Sequence, residues 1–495
     1  MDEAQELKAF LDEVLTGGSV EVYEDGQLIA GLAGMQFEVR RQGQRTFLHF
    51  WSEERNVARQ VVRIAEKRSG QLILEVQRFG RAKPATLEFV AAERARAPGR
   101  LTREKFLARF RQLLAEQFPD DEVETLTCSP DLEHSISGSY VRGVLRQGRR
   151  SWALMAASPD EDSATVDAIL SYGLLWLDRT RERVRTTAGG LTAGLRLYLP
   201  EGRSAVTAHR FQALAPGTNV ELYELDSTWR RAYPVDPRDI GNLATWLTPR
   251  REVEETLAQA RETIDTVRKL APEAIDAVVP PGTREVSVRF RGLEFARWKN
   301  GMLYFGLADD RQPLTQANEN RLKELLVELG THRCPDPPDP NHPLYRMQGE
   351  RWLETMVLNE PARLDARLDP RHIYPQVPAF SAGDRGVIDL LGTTREGRLA
   401  VIELKVSEDV NLVLQAVDYW LRVRWHQEQA DFQRYGYFVG VEMQAKPPLL
   451  YLAAPGLRYH PAADVILKVL SPRIEIQRVG LNENWRAGIQ VIFRQ

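Results

Sequence analysis

Two cysteines, Cys128 and Cys334, stand far apart in 495 residues with no C-x-x-C spacing. A disulfide framework and a paired-cysteine zinc site are therefore excluded. No run of about 18 apolar residues occurs and no apolar stretch follows Met1, so neither a membrane-spanning helix nor a secretory leader is expected. A cytoplasmic protein that does not engage a membrane is the simplest expectation. Also missing are a Walker A loop, G-x-S-x-G, H-E-x-x-H and a G-x-G-x-x-G following a strand. The run Gly189-Gly190-Leu191-Thr192-Ala193-Gly194 lacks the Lys-Ser/Thr ending of a phosphate-cradling loop and reads as an ordinary loop. Glycine and proline are scattered rather than periodic, which argues against a solenoid or a low-complexity tail. A net charge of −3 selects no partner. What remains is the composition of a globular protein, 43% hydrophobic and 27% charged, in a chain too long for one core. An α/β multidomain protein of roughly two to four domains is expected.

Apolar spacing predicts a helix over residues 4–15 and strands at 20–23, 35–40 and 46–51. A helix is expected from Ser52 to Gly70, with Val57, Val61, Ile64 and Ala65 as its apolar stripe. On a neighbouring face Arg55, Arg59, Arg63 and Lys67 recur every fourth residue. Such a stripe could lie along a phosphate backbone or be the solvated side of a surface helix. Between Arg40 and Arg111, 18 Lys/Arg stand against 7 Asp/Glu, an excess that the near-neutral total conceals. With a helix capped by Thr102 and carrying Phe106, Phe110, Leu113 and Leu114, residues 1–120 read as a basic α+β domain and a candidate nucleic-acid binder.

Residues 121–249 read as a second α+β domain without a catalytic constellation. Its expected elements are strands at 140–145 and 152–156 around a turn at 147–150, a helix over 160–177, and strands at 195–199 and 220–225. Residues 250–333 follow as a bridging helix (250–270), a small sheet (286–290, 293–298, 302–305) turned by Lys299-Asn300-Gly301, and a helix (314–329). The proline-dense stretch 334–343 reads as a linker. A last domain, 344–495, begins after it, with further strands expected at 435–441, 449–454, 473–478 and 488–494 and a helix at 461–470.

The informative stretch is Gly386 to Tyr419. Asp389 interrupts the apolar run Val387-Ile388-Asp389-Leu390-Leu391, and Glu403 and Lys405 interrupt Leu399-Ala400-Val401-Ile402-Glu403-Leu404-Lys405-Val406. A polar turn over 393–398 joins the two runs as an antiparallel hairpin. Alternation along the strand puts Glu403 and Lys405 on one face. Charges in such a setting lose several kcal/mol of hydration unless paired or bound to metal. A buried ion pair holding two strands in register would explain them, and so would a functional site. Two converging carboxylates form a hard-oxygen site suited to Mg²⁺ or Mn²⁺, and an adjacent lysine can stabilise charge on a reacting phosphate.

The order Asp389, Glu403-x-Lys405 and then a helix resembles the PD-(D/E)XK nuclease superfamily, with Ile388 where the motif's name has proline. Gln415 and Tyr419, at i and i+4 on that helix, resemble the Q-x-x-x-Y pair of its RecB-like and NucS-like branches. Glu350-Arg351-Trp352-Leu353-Glu354 resembles the first core helix. The resemblance covers about the last 150 residues. It implies a restriction-endonuclease-like mixed sheet flanked by helices, preceded by α+β domains for substrate selection or regulation. It further implies Asp389 and Glu403 as Mg²⁺ or Mn²⁺ ligands, the Leu404 carbonyl as a third oxygen, and Lys405 as the residue that orients the attacking water. Glu350 or Glu354 would serve a metal-bound water or second ion, with the choice open. Gln415 would position a phosphate or Lys405, and Tyr419 either shares the site or is a core aromatic. The expected activity is hydrolysis of phosphodiester bonds in nucleic acid, with DNA preferred. A non-catalytic nucleic-acid-binding scaffold is the alternative, and homo-oligomerisation is left open.

Overall fold

The structure, a computed structural model, describes residues 7–9, 11, 20–24, 27–31, 36–42, 45–51, 56–68, 71–77, 84–131, 136, 138–187, 191–226, 228–239, 245–280, 283–307, 311–381 and 386–495. The chain is a multidomain α/β protein, with four sheets among the described residues. It divides into two compact units, one of residues 1–101, 256–280 and 284–355, the other of 102–255, 281–283 and 356–495. Among the described residues no helix is long and apolar enough to cross a membrane.

In the first unit a seven-stranded antiparallel sheet runs in the order Gln27–Gly31, Val20–Glu24, Ala85–Ala91, Gln71–Gln77, Asn56–Arg68, Arg45–Trp51, Gln36–Gln42. Leu48, Val61, Leu72, Leu74, Val76, Leu87 and Phe89 bury one face of it. The helix expected over 52–70 is therefore a strand, Asn56–Arg68. Two breaks in its register, between Val61 and Arg63 and between Ile64 and Glu66, shift which residues face the core. Those shifts turned a strand's alternation into something close to helical spacing. Arg59 is buried and pairs with both carboxylate oxygens of Glu24 at 2.7 and 3.0 Å. Arg63 is exposed and pairs with Glu75 at 2.7 Å, Lys67 is exposed, and Arg55 lies outside the described residues.

The second sheet of this unit has five antiparallel strands, Ile275–Val278, Val286–Phe290, Leu293–Lys299, Met302–Phe305 and Gln312–Pro313. Asn300 (φ +50°) and Gly301 (φ +79°) form the two-residue turn expected between Lys299 and Met302. The helix expected over 314–329 forms at Glu319–His332. Just beyond it, fully buried Arg333 donates to the carbonyls of Phe290, Arg291, Leu344, Met347 and Gln348 at 2.6 to 3.3 Å and lies 4.8 Å from the Trp352 ring centre. One guanidinium thereby ties both ends of the proline-dense segment to the small sheet.

The second unit holds two mixed sheets. The first contains β1 (Glu122–Thr127), β2 (Tyr140–Gln147), β3 (Arg150–Ala157), β4 (Leu191–Pro200), β5 (Val220–Leu225) and β6 (Ala232–Pro234). Helix α1 (Ile169–Thr187) joins β3 to β4, and α2 (Ala205–Phe211) joins β4 to β5. Only β3/β4 and β4/β5 are parallel. The second sheet, in sequence order, contains β7 (Thr245–Leu247), β8 (Leu368–Ser381), β9 (Val387–Thr394), β10 (Leu399–Leu404), β11 (Leu449–Pro455), β12 (Glu475–Leu481) and β13 (Val491–Arg494). Helix α3 (Leu412–Glu428) joins β10 to β11, and α4 (Ala462–Lys468) joins β11 to β12. Again only these two steps are parallel. Every residue of β10 and β11 is buried, as central parallel strands covered on both faces require.

Residues 435–441, expected as a strand, instead follow a short helix (Asp431–Arg434) as turns. Gly436 and Gly440 take left-handed φ values of +79° and +80°, incompatible with extended chain, while Tyr437 and Phe438 turn inward against Tyr374 and Phe432. The helix expected over 160–177 begins later, as a short turn at Ser163–Asp167 followed by α1.

Removing the Arg333 donors strands several buried carbonyls, each costing about 1–3 kcal/mol. Arg333→Ala should therefore lower stability by more than about 3 kcal/mol in urea unfolding. Arg333→Lys, with three donors in place of a five-donor fork, should recover less than half of that.

Candidate functional site

The β9–β10 hairpin reverses at Arg395–Arg398, where Gly397 takes φ +81° and a Cβ would run into the Glu442 carbonyl. That turn sets the register, in which Thr393 faces Leu399, Leu391 faces Val401, and Leu390 faces Ile402. One step further along both strands stand Asp389 and Glu403. They share the face of Leu391 and Val401, which pack into the core with α3. Directly opposed side chains on one face have Cβ atoms about 5 Å apart. The backbone N–H of Leu404 donates to Oδ2 of Asp389 at 3.0 Å, so the carboxylate is itself part of the strand pairing.

Glu403 is 1% exposed, while Asp389 and Lys405 are half-buried at the open end of the hairpin. The Lys405 N–H extends the parallel ladder by donating to the Ala453 carbonyl at 3.0 Å. Its ammonium lies 3.7 Å from Oδ2 of Asp409. The residue at the cap position of α3 is Asn411, whose N–H donates to Oδ1 of Asp409 at 2.8 Å.

Gln415 and Tyr419 lie on α3 as their spacing predicts, and the Gln415 amide donates to the Tyr419 hydroxyl at 3.3 Å. Burial first, then the negative charge of Glu403 and, more weakly, of Asp389, pushes the Tyr419 phenol far above its usual range, so it stays protonated beside both carboxylates. Asp389, Glu403, Lys405, Gln415 and Tyr419 thus gather at one end of the second sheet. Glu350 and Glu354 belong to the first unit. Glu350 is half-buried in the first turn of the helix Gly349–Asn359. Glu354 is 2% exposed, with its two oxygens 3.3 Å from Arg289 Nη1 and 2.6 Å from Arg351 Nη1. It is engaged by cations of its own unit.

A buried ionic group behind the site was not legible in advance. Arg422, fully buried and 5.6 Å from the centre of the Tyr419 ring, donates to Asp418 and to the Ala379 carbonyl. Asp418 also bonds Nδ1 of His209, from α2. The available signal was a D-x-x-x-R pair inside an otherwise apolar helical run; the histidine comes from more than 200 residues away. Gly386 completes the packing, since a Cβ there would collide with Arg422 and Tyr419. Burial, the largest influence, pushes the Asp418 carboxyl up, but the Arg422 charge and the His209 hydrogen bond outweigh it and hold the group at about 2.

As a metal site the donor set is two hard carboxylates of unequal exposure, which fits an ion of the Mg²⁺ class that keeps several of its waters. Among the described residues no group of three or more His, Cys, Asp or Glu side chains is placed to hold a metal. Any such ion would rest on the side chains of Asp389 and Glu403, with backbone, water or substrate oxygens completing its shell.

The folded pKa of Asp418 lies below the unfolded value of about 3.9. Its stabilisation is therefore full above about pH 4 and is lost as pH falls towards 2. Asp418→Asn should cost about 3–5 kcal/mol at pH 7 by leaving Arg422 buried without its carboxylate. It should also flatten acid unfolding between pH 4 and 2 when followed by circular dichroism. No protein-family model matches the chain, and no curated protein matches it.

Proposed function

We propose that the protein is a Mg²⁺- or Mn²⁺-dependent nuclease that hydrolyses phosphodiester bonds in nucleic acid, with DNA as the preferred substrate. Its active centre is Asp389, Glu403 and Lys405. The second sheet of the second unit is then restriction-endonuclease-like, an antiparallel hairpin feeding two parallel strands through α3 and α4. The observation that carries the reading is the hairpin register, whose last pair, Leu390 with Ile402, leaves Asp389 and Glu403 as the next residues of the two strands, with the Leu404 N–H on the Asp389 carboxylate and the lysine two residues beyond Glu403.

Asp389 and Glu403 would hold the ion, with the Leu404 carbonyl as a third oxygen. When bound, it supplies charge neutralisation at the phosphate and acidifies a coordinated water. The remaining work falls to the chain. The Leu404 N–H fixes the direction of the Asp389 carboxylate. The Lys405 ammonium, 3.7 Å from Asp409 Oδ2, would orient the attacking water and face the charge that develops on the phosphorus oxygens. Tyr419, protonated and bonded by Gln415, holds the inner wall against both carboxylates. One observation favours a second reading, a non-catalytic nucleic-acid platform: Glu354, one of the two glutamates expected to serve a metal-bound water or second ion, is already paired with Arg289 and Arg351.

Labelled single- and double-stranded DNA and RNA, incubated with Mg²⁺, Mn²⁺ or EDTA, decide between the two. Cleavage is expected with either metal and none with EDTA. Asp389→Asn, Glu403→Gln and Lys405→Ala should each slow it by about 100-fold or more, with binding in Ca²⁺ little changed. Variants that cut as fast as the parent would remove the assignment, and salt-dependent binding without any cleavage would establish the platform.

A further inference from the structure

Apart from β7, which adds to the outer edge of β8, the two sheets of the second unit share one connectivity. In each, two antiparallel steps (β1–β2–β3 and β8–β9–β10) lead into two parallel ones (β3–β4–β5 and β10–β11–β12). A helix spans each parallel step, and an antiparallel edge strand, β6 or β13, ends the sheet. The registers also overlay. A row of paired residues crosses one sheet as Leu391, Val401, Leu450, Ile476 and the other as Val144, Ala153, Leu195, Val220. All eight lie in or against the same core. The following helices correspond too: Arg422 sits 5.6 Å from the Tyr419 ring centre on α3, and Arg179 sits 5.8 Å from the Trp176 ring centre on α1.

The contact between the two modules has two-fold character. The numbering shift that carries Ile476 onto Val220 carries Leu470 onto Leu214, and these two residues form an antiparallel bridge. Flanking it, Ala215 N–H donates to the Val469 carbonyl at 2.9 Å and Ser471 N–H to the Ala213 carbonyl at 2.7 Å. The same shift turns each of these bonds into the other. Helix α1 packs on α4 and α2 packs on α3, which is again one contact made twice with the modules exchanged. Such an isologous contact is what a two-fold dimer makes, here within one chain.

The correspondence also shows what stands at the second copy's site. Two residues from the aligned row, where one sheet opposes Asp389 and Glu403, the other opposes Arg142 and Met155, and Ala157 takes the place of Lys405. The Arg142 guanidinium, nearly buried, donates to the Ser129 carbonyl at 2.6 Å and lies 5.6 Å from the centre of the Trp176 ring. Arginine, methionine and alanine offer a divalent cation no oxygen and a reacting water no ammonium.

Resting on the nuclease reading above, we infer that residues 122–234 are a catalytically silent duplicate of the 368–494 module, and that the chain is a one-centred enzyme that nicks duplex DNA. The strands of a double helix are related by two-folds perpendicular to its axis, and two-fold proteins dock on them accordingly. An internal two-fold sets the active copy against one strand and the silent copy against the other, so each binding event cuts one strand.

The test uses the full chain, in amounts below those of a supercoiled closed-circular plasmid, with Mn²⁺ and gel separation of products. Open circles are expected from the start, with full-length linear DNA only after a lag, as independent nicks accumulate opposite one another. Glu403→Gln should remove both products by about 100-fold or more, because no second centre remains. Linear DNA formed without a lag would overturn the inference while leaving the nuclease reading intact, whereas a Glu403→Gln protein that still nicks within about tenfold of the parent rate would overturn both the inference and the assignment of the centre to Glu403. A parent that cuts no nucleic acid with either metal would instead bring down the nuclease reading itself.

Discussion

The hydrogen bond from the Leu404 N–H to the Asp389 carboxylate is the constraint on which the site depends. It ties the direction of one acidic side chain to the backbone of the strand carrying the other acid and the lysine. A slip of one residue in that pairing would send every alternate side chain to the other face, placing Asp389 away from Glu403 and exposing the apolar set that packs under α3. Register is therefore enforced by the core. The charged groups ride on it at positions where apolar residues would have been more stable.

Support comes from outside the site's own module. Asp418, Arg422 and His209 form a buried ionic group linking α3 to α2, and a single core runs through both sheets of the second unit. The shifts that carry Tyr419 onto Trp176 and Leu470 onto Leu214 carry Asp418 onto Leu175 and His209 onto Val465, so the corresponding positions are charged on the side of the acidic site and apolar on the other. Buried ion pairs add little net stability compared with well-packed hydrocarbon, so their presence on one side alone points to positioning of α3 and its Tyr419.

Where local periodicity governs, the sequence was legible. Strands β9, β10 and β11, the turn at Asn300–Gly301, helix α3 and the same-helix placement of Gln415 and Tyr419 all follow from alternation, turn chemistry or i,i+4 spacing. Legibility failed where tertiary contacts change the period. Register shifts at Val61 and Ile64 made a strand look helical, and its arginines, read as one stripe, include a buried Arg59 committed to Glu24 and an exposed Arg63. Near Gly436 and Gly440 an apolar composition suggested a strand that left-handed backbone forbids. Glu350 and Glu354 matched a helix pattern, but a pattern carries no information on neighbours, and Glu354 lies between two guanidiniums.

By itself the sequence determined that a hairpin would carry Asp389 across from a Glu403-x-Lys405 strand, followed by a helix presenting Gln415 and Tyr419, because each of these is set by residues within a few turns of chain. Only the tertiary structure decided that His209 would meet Asp418 and that Leu214 would pair with Leu470. It alone revealed that residues 122–234 repeat the connectivity of the site-bearing module with Arg142, Met155 and Ala157 at its key positions. Connectivity and register are properties of strand pairing between distant segments, and two modules can share them while retaining none of the side chains that would make their kinship visible in the sequence.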